Sequence, residues 1–345
     1  MKRAPLTTIP EAELASALAK TNDRAAALAA LGRLPKADLH CHALLNCPLS
    51  SYESVLGYKL PAPPPRFRDF GEFGGYLATN LLPATRTLAG MRALLRGGLE
   101  RMAGEGVVYT EASIDLLMPL HINVPPQAVV DVIAEERDRV ADRLVFAPEI
   151  GINRRVDPDK LWSNFQAYLD SGIFRAVDLY DDERAGDLRE FRRFFLSAEE
   201  QGLLLKAHAG ETCGPDKIRE TLDILGVDVL QHGIAAVQDR TLLDLLAKQG
   251  TQLNVGVASN IALGVAGGYE NHPIHALLAA GVTVALGTDD FTVFGIGLCE
   301  ELWLLRRAGM SVAELAKLRN GPPRQLLPLL AVNEPACTWS RTRPI

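Results

Sequence analysis

Four short apolar runs in this chain end in side chains of the kind that hold metal ions. They close on His40-Cys41-His42, His208-Ala209-Gly210-Glu211, Gln231-His232-Gly233 and Thr288-Asp289-Asp290. In an extended strand residues two apart share a face, so His40 and His42 project together while Cys41 points the other way. Either histidine alone could be a satisfied core residue. Yet His40, His42, His208 and His232 are four of only seven histidines, all at run ends, and a fold must bring those ends to one point. His121, His272 and His275 sit in a Pro-flanked loop or at a helix start and read as surface or capping residues.

The spacing between the runs supplies that fold. Strands are expected at 37–39, 107–111, 144–150, 176–179, 203–207, 229–231, 252–254 and 282–286. Between and after them the apolar period is helical, over 126–143, 159–171, 188–201, 217–225, 241–249, 273–280, 298–307 and 312–318. Strand–helix alternation predicts a parallel sheet, and eight repeats predict a closed (β/α)8 barrel of the TIM type. An open doubly wound sheet would gather ligands only where its strand order reverses. Here they sit on strands one, five, six and eight, which converge only if the sheet closes.

One catalytic barrel domain is therefore expected over 1–345. A helical arm at 1–34, with one helix over 11–31 stopped by Gly32, precedes it, and a tail at 331–345 follows. Between the first two strands, 43–106 reads as a lid or pocket wall with helical stretches at 70–82 and 87–103. Its Pro61-Ala62-Pro63-Pro64-Pro65 patch reads as a stiff surface turn.

Composition limits the partners. The chain has 345 residues, 23% charged, with a net charge of −6 and its basic residues dispersed. That predicts neither a nucleic-acid track nor a membrane surface, and favours a small, weakly charged partner. No secretory leader or membrane-spanning run is expected. Five cysteines without a C-x-x-C pair suit reduced thiols in the cytoplasm. Oligomeric state is left open.

Three imidazoles and a carboxylate, His40, His42, His208 and Asp289, are a donor set for one zinc ion with a position left for water. Such an ion brings the pKa of bound water to about 7 and so supplies a nucleophile at neutral pH. His232 is then spare, placed to act as general base or orienter. Glu211, three residues beyond His208, is a candidate proton donor, and Asp290 a hydrogen-bonding partner of the substrate. Lys206 shares the His208 side and is unassigned. Cys47 and Cys213 fall on loops near the site, where a buried or loop thiol is the plain reading.

These motifs, with Pro35-Lys36-Ala37-Asp38-Leu39 before the first, Ser259-Asn260 and His272-Pro273-Ile274, resemble in order those of the adenosine deaminase family of the amidohydrolase superfamily. The resemblance spans about 34–330 and implies a one-zinc barrel enzyme. His40, His42, His208 and Asp289 match its metal ligands, and Glu211 the acid that protonates purine N1. His232 matches the residue that handles the attacking water, and Asp290 the one that contacts N7. Three departures fall on substrate-reading positions. After His42 the family has Leu, an acid that helps hold the ribose, and Gly, whereas this chain has Ala43-Leu44-Leu45. The Gly-containing turn that meets N3 is replaced by Asp178-Leu179-Tyr180-Asp181-Asp182-Glu183. Phe291 stands where Pro usually follows Asp290.

The expected function is zinc-dependent hydrolytic deamination of an aminopurine, adenosine or a modified adenine nucleoside or base, with release of ammonia. Leu44, Leu45, Tyr180, Asp181 and Phe291 are expected to shape the substrate pocket together with Asp290. The alternatives are another zinc amidohydrolase reaction on an N-heterocycle, or a binding protein without turnover.

Overall fold

Eight strands pair in parallel in the order of the sequence: β1 (Lys36–Asp38), β2 (Val107–Asp115), β3 (Val145–Asn153), β4 (Ala176–Tyr180), β5 (Leu204–Ala209), β6 (Val229–His232), β7 (Gln252–Val255) and β8 (Thr283–Leu286). The computed structural model describes residues 11–19 and 22–320, so the expected tail at 331–345 lies outside the described residues. The ends of the sheet meet. Leu39 N donates to Leu286 O at 3.3 Å, Asp289 N donates to His40 O at 2.9 Å, and Cys41 bridges Asp289 in parallel. With helices between the strands this is the (β/α)8 barrel that the alternation predicts.

Two strands run further than their apolar residues alone indicated. β2, expected to end at Glu111, continues through Ser113 to Asp115, and β3, expected to end at Ile150, continues to Asn153. Polar residues can extend these strands because they point into the barrel and find partners there. Ala37, Leu39, Tyr109, Ala147 and Ala285 fill one part of the interior. The next layer toward the C-terminal strand ends holds a buried ion cluster, in which Lys206 Nζ contacts both Glu111 and Glu149. Tyr109 Oη donates to Glu111 Oε1 at 2.7 Å. Lys206 is thus the cation of a buried triad, one layer below His208 on β5.

The N-terminal arm corrects the single helix expected over 11–31. It is two helices, Glu11–Leu18 and Arg24–Leu31, because Asp23 caps the second by accepting from Ala26 N at 3.0 Å. Gly32 closes that helix, as expected, with its N–H on Leu28 O at 2.8 Å.

Segment 43–106 carries more helix than expected. Leu49–Leu56 precedes Phe70–Tyr76, which runs into a π turn at Leu77–Leu81, and Leu88–Gly104 leads into β2. Its small core of Cys47, Tyr52, Phe67, Phe73, Leu81 and Leu94 also takes in Leu263 and Val293 from loops that follow β7 and β8. Phe67 N donates to Ala262 O at 2.7 Å. The segment is fastened to the rim of the barrel and forms a fixed wall over it.

Gly287, just after β8, shows how tightly that rim is built. A Cβ there would lie 2.4 Å from His40 Cβ and 2.4 Å from His40 O, so backbone would have to move. Gly287→Ala is expected to cost about 1–3 kcal/mol by overpacking and to displace the His40 imidazole. Chemical denaturation together with zinc content checks this; unchanged values for both would sink it.

Candidate metal and acid centre at the barrel mouth

β1 stops at Asp38, and His40-Cys41-His42 does not continue it as the regular strand expected from the sequence. The chain bends at Leu39–His40 and pairs again only as single bridges, Cys41 with Asp289 and His42 with Ser113. Side chains replace the missing ladder. Asn254 Nδ2 donates to Leu39 O at 2.7 Å, and Asp38 Oδ1 accepts from Thr288 N at 3.1 Å. The two imidazoles still converge, with centroids 5.7 Å apart, while Cys41 turns away to Thr110 and the Glu111 carbonyl.

Around them stand the other strand ends. The His40 ring centroid is 4.8 Å from that of His208 and 4.9 Å from that of His232. Asp289 Oδ1 lies 3.6 Å from His40 Nε2 and 3.6 Å from His42 Nε2, and its Oδ2 lies 3.6 Å from His232 Nε2. Ligand atoms of His40, His42 and Asp289 all fall within 4.8 Å of one another, as do those of His40, His208 and His232.

These residues fit a metal ion. His40 is fully buried, and neither of its ring nitrogens has a hydrogen-bond partner. Such a pair of orphaned nitrogens is costly unless something else binds there. Burial pushes its pKa well below the usual histidine value, which keeps it in the neutral ligand form. His42 Nδ1 lies 3.2 Å from Ser113 Oγ, and His208 Nδ1 lies 3.2 Å from Asp178 Oδ1. Both rings are thereby fixed with Nε2 free, the orientation in which a second polar layer presents histidine to a metal. The sequence reading missed Ser113 and Asp178. Their signal was a polar residue at the inward phase of an apolar strand.

Glu211 stands across the bowl. Its Oε1 accepts from Asn260 Nδ2 at 2.9 Å and lies 3.4 Å from His232 Nδ1. Burial, then the charges of Asp289 and Glu183, push its pKa well above the ordinary glutamate value, which favours the protonated form. The same Asn260 amide nitrogen lies 3.1 Å from His232 Nδ1. In the tautomer whose Nδ1 accepts from Asn260, the Nε2–H of His232 faces Asp289 Oδ2, 3.6 Å away. Asp290 is buried with Oδ1 unpartnered, and burial raises its pKa.

A cavity of about 430 Å³ opens above this bowl. Of the residues expected to shape the pocket, Leu45, Tyr180, Asp181 and Asp290 line it, beside His42, His208, His232, Glu211 and Asp289. Leu44 and Phe291 do not, which corrects the expectation for these two. Leu44 packs into the hydrophobic clusters beneath the wall, and Phe291 lies under the Arg101 guanidinium, 3.9 Å from its ring centroid. Phe70, Phe73 and Leu77 of the 43–106 wall complete the apolar side. The 178–183 turn, which has no glycine, still takes a glycine-like backbone. Asp181 takes φ 81°, in the left-handed region that glycine favours. Its carboxylate is drawn aside by Asn153 at 2.8 Å and Arg155 at 2.6 Å.

Two residues of the bowl hold the same unusual backbone, His232 at φ 64° and Asp289 at φ 56°. Non-glycine residues in that region cluster where surrounding structure over-determines them, often at functional sites. Of the other residues read from the sequence, Cys47 is buried beside Thr292, and Cys213 is half-buried after Glu211. His272 is buried and caps the next helix, its Nδ1 accepting from Ile274 N at 3.1 Å.

Comparison with known proteins agrees with this geometry. The family model described as adenosine deaminase matches residues 65–322. A Streptomyces virginiae protein with the provisional name adenosine/adenine deaminase is 32% identical over 305 residues, 82% of this chain and 90% of its own. Among solved structures, adenine deaminase from Arthrobacter aurescens superposes with a TM-score of 0.74 at 24% identity, covering 86% of this chain and 97% of its own. A zinc-bound amidohydrolase from Burkholderia ambifaria gives 0.73 at 18% identity, covering 96% of this chain and 94% of its own.

Proposed function

This chain belongs to the adenosine deaminase family, and from that premise we propose that it deaminates an aminopurine by hydrolysis, using one zinc ion held by His40, His42, His208 and Asp289. The observation that carries the reading is the juxtaposition of a buried Glu211 with the His/Asp cluster on one cavity. A zinc ion bound there supplies a Lewis acid that lowers the pKa of a bound water to about 7.

The chain's own residues do the rest. Glu211 gives its proton to the ring nitrogen beside the amine-bearing carbon, which makes that carbon electrophilic. His232 Nε2–H orients the incoming water oxygen, and Asp289 Oδ2, the carboxylate oxygen facing His232, takes the proton the water gives up. The water oxygen bonds to that carbon, the proton on Asp289 passes to the amino group, the carbon–nitrogen bond breaks and ammonia leaves; the remaining hydroxyl proton returns to Glu211 as the ring carbonyl forms. Asp290, with one oxygen free, holds a second ring nitrogen. Leu45, Tyr180 and Asp181 shape the space around the ring.

The partner is then a small aminated heterocycle and water; a net charge of −6 supports this over nucleic acid. Among the described residues no helix is long and apolar enough to cross a membrane. Unbridged Cys41, Cys47, Cys213 and Cys299 suit a reducing compartment, and we place the protein in the cytoplasm. Zinc-loaded protein is expected to release ammonia from adenine or adenosine, and chelation to abolish it. Hydrolysis of lactams or cyclic ureides without ammonia from any aminopurine would favour the other amidohydrolase chemistry instead.

A further inference from the structure

The acid Glu211 lies on a loop, and loops hold a carboxyl less firmly than strands do. What fixes this one is a second carboxylate on the neighbouring connection. Glu183, just after β4, is 3% exposed. Its Oε2 accepts from Gly210 N at 2.6 Å, and its Oε1 from Glu211 N at 2.8 Å and Thr212 N at 2.7 Å. Three successive backbone amides thus converge on one side chain. Arg154 and Arg184 hold the carbonyls of the same stretch. Arg154 Nη2 donates to His208 O at 2.7 Å, and Arg184 Nη2 donates to Thr212 O at 3.0 Å.

The loop itself cannot settle elsewhere cheaply. Gly210 takes φ 76°, and a Cβ there would meet Ile218 Cδ1 at 2.4 Å. The loop's amides need an acceptor, and the bonds of Gly210 N and Glu211 N to Glu183 are buried. A carboxylate is the strongest acceptor available, since it takes several N–H bonds at once. Asp178 on the same stretch of chain fixes the His208 ring. The connection that begins with β4 therefore positions both functional groups of the next strand, the ring through Asp178 and the acid through Glu183.

We propose that Glu183 is a positioning residue for the reaction: by gathering the amides of Gly210, Glu211 and Thr212 it sets where the Glu211 carboxyl stands over the substrate ring. This rests on the deaminase reading. Glu183 touches neither the cavity nor the His/Asp cluster, so its loss moves the acid without removing a metal donor. A displacement of about 1 Å in a reacting group costs roughly a hundredfold in rate.

The test uses zinc-loaded wild type with Glu183→Ala and Glu183→Gln, measuring kcat and KM for ammonia release, zinc content and thermal midpoint. Glu183→Gln keeps one acceptor oxygen and a similar shape but turns an N–H₂ toward an amide donor. We expect kcat to fall about tenfold in Gln and about a hundredfold in Ala, with KM within about threefold and zinc content unchanged. Should Ala fail to fold, Gln decides alone. The proposal is overturned if folded Gln keeps kcat within about twofold, or if its loss of kcat merely tracks loss of zinc or of melting midpoint. Absence of ammonia release from wild type would instead sink the deaminase reading.

Discussion

Glu211→Gln is expected to lower kcat for ammonia release by about a hundred- to ten-thousand-fold, with the fold and bound zinc retained. The amide keeps the size of the carboxyl and can still accept from Asn260, so the cavity stays as it is. The transferable proton is lost. The same shift sets the pH dependence. Burial and the charges of Asp289 and Glu183 raise the Glu211 pKa above the ordinary value, so the acid is competent below that raised pKa and rate declines as pH passes upward through it. In the variant this alkaline decline should vanish along with most of the activity. Steady-state assays across pH, with zinc measured in parallel, check both; undiminished turnover by a zinc-replete variant would remove Glu211 from the mechanism.

Lys206→Met is expected to destabilise the barrel by about 3–5 kcal/mol at neutral pH. One ammonium there faces two carboxylates, all three buried in the barrel interior. Burial already raises the Glu149 pKa against the pull of Lys206. Without the lysine, Glu111 and Glu149 share a low-dielectric space with no cation, and Glu149 is expected to take up a proton in the folded state. The folded pKa of Glu149, already raised by burial, then climbs further above the unfolded value of about 4.3. Stability of the variant should therefore be greatest below that value and fall as pH rises through the raised one. Denaturation at pH 5 and pH 7 measures this, and adding Glu111→Gln and Glu149→Gln should restore much of the loss. A single variant within about 1 kcal/mol of wild type at pH 7 would mean that the triad is solvated.

Glu211 and Lys206 differ in how far their roles can be read from local sequence. Glu211 could be found there because the chemistry of the site demands a carboxyl at a strand end near a histidine. Lys206 was visible only as a charged residue in an apolar run. Its partners are 95 and 57 positions away on β2 and β3, and pairing across a barrel leaves no mark in local periodicity. Asp178, Ser113 and Glu183 escaped for the same reason: each acts on a residue of another strand or loop. Leu44 and Leu45 are neighbours in sequence, yet Leu45 faces the cavity and Leu44 the packing beneath it. A one-residue difference in direction on a short helical turn cannot be read from composition.

The sequence by itself determined the barrel and named its candidate metal donors, because strand–helix alternation and the chemistry of four run ends are local properties. The tertiary structure decided how those donors are held. The bend after Asp38, the left-handed backbone at Asp181, His232 and Asp289, and the carboxylates behind His208 and Glu211 all depend on contacts that exist only when the barrel closes. A local pattern names the groups. Closure brings distant strands within hydrogen-bond reach and so fixes their angles and protonation.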